Sequence, residues 1–215
     1  MNKSEFLKAC KKQTSSGDFF YGIYDNFLPE KEYNYLKSYV TTRMGWGIAK
    51  EINANDASPN DFYMCNHIFS SNAMPRQQWT PVVDADVFSI ITSRLDIQAL
   101  ARLKANLYMS SKEHWIHAPH VDYLHFTMGA LVYITDCDAP TYLADGTEVE
   151  SKENRLLIFN SSSPHSSSAP TNVPYRVTIN LNYFGGGVNP KYLESNPSIK
   201  LTKFSSQYPF AKDKK

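Results

Sequence analysis

The feature that most constrains the fold is a series of short β-rich segments that fills the second half of the chain. The segments are KANLYMS, HVDYLHF, GALVYITD, PTYLAD, TEVES, RLLIFNSS and YRVTINLNYF, and Gly, Pro, Asn or Ser separates them. Several strands at this spacing indicate a β-sandwich or a barrel. We therefore expect a mainly β fold.

The front of the chain predicts helices that support this β core. The segment LPEKEYNYLKSYV carries apolar residues at helical spacing after Pro29, which suits a first turn. The segment TPVVDADVFSIITSRLDIQALARL predicts a longer helix, capped by Thr80, with Pro81 in its first position and an apolar stripe from Val83 to Leu95. We expect these helices to pack on one face of the β core.

One domain over residues 1–215 is expected, because a chain of 215 residues can bury one sizeable core and no internal repeat divides it. The β core and its helices should lie within about residues 19–187. The tail that begins with GGGVNPKYLESN is polar. We expect it to be irregular.

Composition excludes several classes of protein. Charged residues make up 20% of the chain and the net charge is +1, which indicates a soluble globular protein with no global basic field for nucleic acid, while a local basic patch stays open. No apolar run reaches the length of a membrane span, and the first twenty residues lack the apolar segment of a signal peptide. The three cysteines share no short spacing and favour a reducing compartment, so we expect a cytoplasmic protein.

A metal site is indicated by HVDYLHF, in which His120 and Asp122 are two residues apart. In a strand both side chains would point to the same face. His165 follows the apolar segment RLLIF and could return beside them from a strand end. Two imidazoles and one carboxylate leave open positions on an octahedral ion, which favours non-haem Fe(II) and oxygen chemistry over zinc.

A place for an acidic co-substrate is indicated by the last strong strand, RVTINLNYF. By alternation Arg176, Thr178, Asn180 and Asn182 share one face, and burying that face without partners would be costly. A dicarboxylate inside the β core would supply the partners. Arg176 could hold one carboxylate through two parallel hydrogen bonds, and Thr178 could add another.

Other histidine arrangements predict less. His114 and His117 could form a zinc site with His120, but the three do not share a strand face and Pro119 opposes a helix. The serines around His165 could indicate Ser–His catalysis, but no nucleophile turn is visible.

Taken together, the H-x-D pair, the distal His165, and Arg176 with Thr178 resemble the 2-oxoglutarate- and Fe(II)-dependent oxygenases, particularly their prolyl-4-hydroxylase-like branch. The resemblance implies a double-stranded β-helix, or jelly roll, with supporting N-terminal α-helices. It also implies Fe(II) as the metal cofactor, 2-oxoglutarate and O2 as co-substrates, and hydroxylation or demethylation with release of succinate and CO2. His120, Asp122 and His165 would be the metal ligands and the catalytic centre.

The same resemblance implies further co-substrate contacts. Asn106 and Tyr108, in KANLYMS, and Tyr133, in GALVYITD, stand where the family places residues that contact 2-oxoglutarate. Alternatively, both tyrosines are ordinary core aromatics. The chain departs from prolyl hydroxylases in DAPTYL, where they tend to carry Gly-Gly, and in Asn182, where they often carry an aromatic residue.

The substrate side of the site is expected to be polar. Asn182 lies six residues after Arg176 on the same face, and the loop KEHWIHAP would place Trp115 and His117 at the rim. These residues predict a polar small molecule or a polar peptide side chain as substrate, unless Asn182 only bonds neighbouring strands.

The alternative function is a non-catalytic jelly-roll module that binds a ligand. Such a module would have no need for a buried Arg176 beside a metal triad.

Overall fold

The computed structural model describes residues 1–49, 62–70 and 83–210. Its helices are α1 (Lys3–Cys10), α2 (Glu30–Thr42), α3 (Val83–Thr92) and α4 (Pro190–Ser195). Its strands are β1 (Tyr21–Asp25), β2 (Gly47–Ala49), β3 (Tyr63–Ser70), β4 (Leu95–Met109), β5 (Trp115–Ile116), β6 (Met128–Tyr133), β7 (Cys137–Leu143), β8 (Glu148–Ser151), β9 (Leu156–Asn160), β10 (His165–Ser166), β11 (Ser168–Ala169), β12 (Tyr175–Val188) and β13 (Lys200–Phe204).

Eight of these strands form one antiparallel sheet in the order β13-β1-β9-β6-β12-β4-β3-β2. The small sheets β10-β7-β8 and β11-β5 contain the remaining strands. This arrangement, with helices at the front of the chain, confirms the expected jelly roll. Among the residues that the structure describes, no helix is long and apolar enough to cross a bilayer.

The alternation of β12 separates the two faces of the large sheet. Val177, Ile179, Leu181 and Tyr183 join the main hydrophobic core, which also contains buried residues of α2 and α3. Tyr133 on the neighbouring β6 instead joins a smaller cluster with Leu143 of β7 and Val149 of β8. The polar residues of β12 therefore face the small sheets, and the candidate site lies between the sheets.

The C-terminal tail is more ordered than its polar sequence predicts, which corrects that expectation. Helix α4 is followed by β13, which pairs with the edge strand β1. Tyr208 is 3% exposed, and its hydroxyl lies 2.9 Å from that of Tyr24. A Cβ on Gly22 would approach the Tyr208 ring to 2.4 Å, so only glycine leaves room for it. Burial of aromatic side chains thus orders a segment that is otherwise polar.

The helix that was expected from Thr80 onward is shorter, and a strand replaces its second half. Helix α3 ends at Thr92 and β4 begins at Leu95. The reason is long-range pairing, because β4 joins β12 from Leu95 to Met109, and sheet pairing outweighs local helical periodicity. Thr80 and Pro81 lie outside the described residues.

Candidate active site

The three residues expected to bind metal come together between the sheets. One ligand atom from each of His120, Asp122 and His165 lies within 4.8 Å of the other two. The Nε2 atoms of His120 and His165 lie 3.7 and 3.8 Å from the two oxygens of Asp122. Ligands at right angles on an ion at about 2.1 Å are about 3 Å apart, so a small inward movement would complete a facial set.

Backbone pairing, not a continuous strand, positions these ligands. His120 and His165 form an isolated antiparallel bridge with reciprocal N–H to carbonyl distances of 3.0 Å. The backbone N–H of Asp122 donates to the carbonyl of Ser161 at 2.9 Å. The segment HVDYLHF is otherwise not a strand, so alternation was the wrong reason to bring His120 and Asp122 together.

The imidazole of His165 is oriented for coordination. Its Nδ1 lies 3.0 Å from the Ser163 carbonyl oxygen, to which it can only donate. The proton on Nδ1 leaves the lone pair of Nε2 for a metal. Phe159 packs edge-on against the ring at 4.9 Å between centroids and fixes its plane.

The carboxylate of Asp122 is held by three side chains. Arg102 Nη2 donates to Oδ1 at 2.6 Å, while the amide of Asn182 donates to Oδ2 at 2.9 Å and that of Asn180 at 3.4 Å. Burial alone would raise the pKa of Asp122, but the charge of Arg102 leads the effects that hold it well below its usual range. Asp122 is therefore an ionised carboxylate whose orientation is fixed by its neighbours.

His120 is neutral at physiological pH. Burial lowers its pKa to about 3, and this effect outweighs the neighbouring carboxylate of Asp122, which acts in the opposite direction. A metal needs the neutral imidazole as its ligand. No proton therefore has to leave His120 before it coordinates.

Arg176 lies at the deep end of the pocket with its guanidinium completely buried. Its Nη2 donates to Thr141 Oγ1 at 2.7 Å, and Nη1 donates to the Ser168 carbonyl at the longer distance of 3.4 Å. Its Nε has no hydrogen-bond partner. Within residues 1–49, 62–70 and 83–210, Arg176 forms no salt bridge.

The expected co-substrate residues surround this guanidinium. The rings of Tyr108 and Tyr133 each lie 5.6 Å from Arg176 Cζ. Asn106 and Thr178 line the same pocket as Tyr108, and they pair across β4 and β12. Burial raises the pKa of both tyrosines, so their hydroxyls keep their protons.

Thr141 is a site residue that the sequence analysis did not identify. Its Oγ1 accepts from Arg176 Nη2 and also from the Tyr133 hydroxyl, at 2.8 Å. Because both contacts use the acceptor side of the hydroxyl, the Thr141 proton is available to a ligand in the pocket.

The expected substrate residues are placed less uniformly. Asn182 is completely buried, and its amide bonds Asp122 and, through Oδ1, Arg102 Nε at 2.9 Å. His117 is not at the rim: it is 2% exposed, stacks on Tyr108, and lies 2.9 Å from Ser167 Oγ through Nδ1. Trp115 is 45% exposed at the edge strand β5.

Arg102 and Lys104 also belong to the site and were missed. Along β4 they alternate with buried apolar residues and share a face with Asn106 and Tyr108. The pattern R-L-K-A-N-L-Y carries this alternation, but assigning Arg102 to a helix concealed its first members.

The fold is also found among solved structures. A member of the 2OG-Fe(II) oxygenase family from Burkholderia pseudomallei superposes with a TM-score of 0.50 over 88% of this chain and 94% of that one, at 9% identity. A Trichoplax adhaerens prolyl hydroxylase, in complex with a hypoxia inducible factor peptide fragment, covers 85% and 89% at 15% identity and a TM-score of 0.49. A Pseudomonas putida prolyl-4-hydroxylase covers 84% and 98% at 14% identity and a TM-score of 0.46. No family model matches the chain, and no curated protein does. The likeness to the Burkholderia protein shows the fold.

Proposed function

We propose that the protein is an Fe(II)- and 2-oxoglutarate-dependent oxygenase that hydroxylates or demethylates a polar substrate. The observation that carries this proposal is the fully buried guanidinium of Arg176, which meets no carboxylate among the described residues and lies in the pocket that His120 and His165 also line. A buried cation without an anion is costly, and a bound carboxylate removes that cost.

His120, Asp122 and His165 would hold Fe(II), since two imidazoles and one carboxylate with positions left open are the donor set of non-haem iron oxygenases. When bound, Fe(II) with 2-oxoglutarate and O2 supplies an oxidation that inserts oxygen into a C–H bond and releases succinate and CO2. The contribution of the chain is to hold Asp122 ionised and in place through Arg102 and Asn182.

The deep end of the pocket would bind the distal carboxylate of 2-oxoglutarate. Arg176 supplies the charge, and Thr141 can donate its hydroxyl proton because its acceptor side is already used. Tyr133 fixes that hydroxyl, and Thr178 and Asn106 line the wall beside it. A charge-assisted pair of this kind is about twice as strong as a neutral hydrogen bond.

The alternative is a jelly-roll module that binds a ligand without catalysis. Such a module has no need for an ionised carboxylate between two imidazoles. The arrangement around Asp122 therefore favours the oxygenase.

Calorimetry with Mn(II) as an inert metal, followed by 2-oxoglutarate, tests the proposal. We expect one metal site and 2-oxoglutarate binding that requires the metal. Fe(II) should then support conversion of 2-oxoglutarate to succinate. Asp122→Ala should abolish metal binding, whereas Asp18→Ala, which changes an exposed aspartate, should not. Metal binding retained in Asp122→Ala would refute the site.

A further inference from the structure

We propose that the prime substrate carries an oxyanion, such as a carboxylate or a phosphate, and that Arg102 and Lys104 bind it. This inference rests on the proposed function and names the substrate class of the same site. It takes two cations, rather than the uncharged amide of Asn182, as the basis for a polar substrate.

The register of β4 and β12 places these cations beside the metal ligands and away from Arg176. Tyr108 pairs with Arg176, whereas Lys104 pairs with Asn180 and Arg102 pairs with Asn182. Four residues along a strand span about 13 Å. The deep end is therefore left to the co-substrate, and Arg102 and Lys104 lie at the end where Asp122 is bound.

Aromatic rings stabilise the positive charges of Arg102 and Lys104 without neutralising them. Lys104 Nζ lies 4.7 Å from the centre of the Tyr63 ring and donates to the hydroxyl of that residue. Arg102 Cζ lies 5.7 Å from the centre of the Tyr123 ring. Cations over ring faces are stabilised while they keep their full charge.

One carboxylate offsets part of this charge. In the part of the chain that the structure describes, Arg102 pairs with Asp122 through Nη2, and Lys104 forms no salt bridge. Asp122 would share its charge with a bound metal. With 2-oxoglutarate paired to Arg176, the charge of Lys104 is left for a substrate, together with the part of the Arg102 charge that a metal-bound Asp122 would no longer offset.

Because Lys104 and Arg102 are partly buried, their excess positive charge is unfavourable in the absence of a bound anion. Burial lowers the pKa of Lys104 to about 8, and Arg102 contributes to the shift. His67, which pairs with Lys104 across the strands, has a buried Nδ1 without a hydrogen-bond partner. Burial and the same two cations lower the pKa of His67 to about 4, so its neutral ring can donate one hydrogen bond. Two cations and a free donor suit an oxyanion.

Binding of inorganic sulfate tests the inference. The probe is added to protein already loaded with Mn(II) and saturating 2-oxoglutarate, so that the metal and Arg176 are occupied. We expect sulfate to bind the wild type and to bind Lys104→Met at least tenfold more weakly. Lys200→Met, which removes an exposed strand lysine from β13, should bind like the wild type, and Lys104→Arg should retain binding if Lys104→Met folds poorly.

Two results would overturn the inference. Sulfate binding that is equal in the wild type and Lys104→Met would place the anion elsewhere. A loss of 2-oxoglutarate affinity in Lys104→Met, with sulfate binding unchanged, would assign the cation to the co-substrate. Failure of the wild type to bind Mn(II) and 2-oxoglutarate together would instead refute the proposed function, and it is measured before sulfate is added.

The substrate class is tested by 2-oxoglutarate turnover in the Fe(II)-loaded wild type. Organic acids and phosphate monoesters are compared with their neutral amides and alcohols at equal concentration. We expect the compounds that stimulate turnover to come from the anionic set. Stimulation by neutral members alone would overturn the inference even if sulfate binds.

Discussion

Arg155 and Arg176 are both largely removed from solvent, but Arg155 has a charged partner and Arg176 has only neutral ones among the described residues. Arg155 meets both oxygens of Asp25, at 2.7 and 3.2 Å, and Lys152 contacts the same carboxylate. Arg176 is more deeply buried and has a hydroxyl and a carbonyl as its partners. Among the described residues, the arginine that stabilises the fold is therefore neutralised by a carboxylate, and the one beside His120 and His165 is not. An arginine kept in this state is available to a ligand.

The largest expected effect is that of Arg176→Met on 2-oxoglutarate. Loss of a buried charge pair costs about 2–5 kcal/mol. The dissociation constant, measured by calorimetry on Mn(II)-loaded protein, should therefore rise about thirtyfold or more. The unliganded variant should unfold in urea with no loss of stability, because replacing an unpaired buried charge by an apolar side chain removes a desolvation cost. Arg176→Lys should give an intermediate dissociation constant. Unchanged affinity in Arg176→Met would show that the carboxylate binds elsewhere.

Arg155→Met should have the opposite effects: it should lower the stability of the fold and leave the affinity for 2-oxoglutarate nearly unchanged. Arg155→Met leaves the carboxylate of Asp25, which is 8% exposed, with only Lys152 as a cationic partner. We expect the free energy of unfolding to fall by about 3 kcal/mol, because a buried charge loses its partner. The affinity for 2-oxoglutarate should stay within about twofold of the wild type, which is under 0.5 kcal/mol. If Arg176→Met is the more destabilising of the two, the comparison between the arginines fails.

The polar face of β12 and the cluster of His120, Asp122 and His165 could be predicted from the sequence, because a short local pattern indicates each of them. Alternation along RVTINLNYF gave the polar face of β12, because period-2 burial is a local property of a strand. His120, Asp122 and His165 were found because few residue types bind metals and their order along the chain is informative. Both patterns can be recognised in the sequence before it is known which strands pair.

The remaining features depend on pairing between distant segments. Arg102 was assigned to a helix because VFSIITSRL has a helical apolar stripe, and only its pairing with Asn182 makes it a site residue. Thr141 occupies an unremarkable position in PTYLAD, and it reaches Arg176 because the small sheet packs over the large one. His117 was expected in a loop, but burial behind Tyr108 cannot be read from its neighbours in the chain.

Asn182→Ala tests the other arginine of the site, Arg102, which is paired with Asp122. Asn182 bonds both Arg102 and Asp122, and it carries no charge, so its removal changes orientation without changing the electrostatic repulsion of the metal. Loss of such an outer partner lowers metal affinity by about tenfold or more. Mn(II) calorimetry should show this drop, with a smaller one for Asn180→Ala, whose contact is 3.4 Å long. Equal effects of the two would assign no special role to Asn182.

The smallest expected effect is that of Thr141→Val on the affinity for 2-oxoglutarate. This substitution tests whether the Thr141 hydroxyl positions Arg176 in the unliganded protein. Valine keeps the shape of threonine but removes the hydroxyl that accepts from Arg176 and from Tyr133. It also removes the proton that we expect Thr141 to donate to the co-substrate. A single hydrogen bond of this kind contributes about 1 kcal/mol, so the dissociation constant for 2-oxoglutarate should rise about fivefold. Thr141→Ser keeps the hydroxyl and should bind nearly as well as the wild type. If Thr141→Ser and Thr141→Val weaken binding equally, the methyl group of Thr141 matters and its hydroxyl does not, and Arg176 must be positioned by its stacking between Tyr108 and Tyr133 instead.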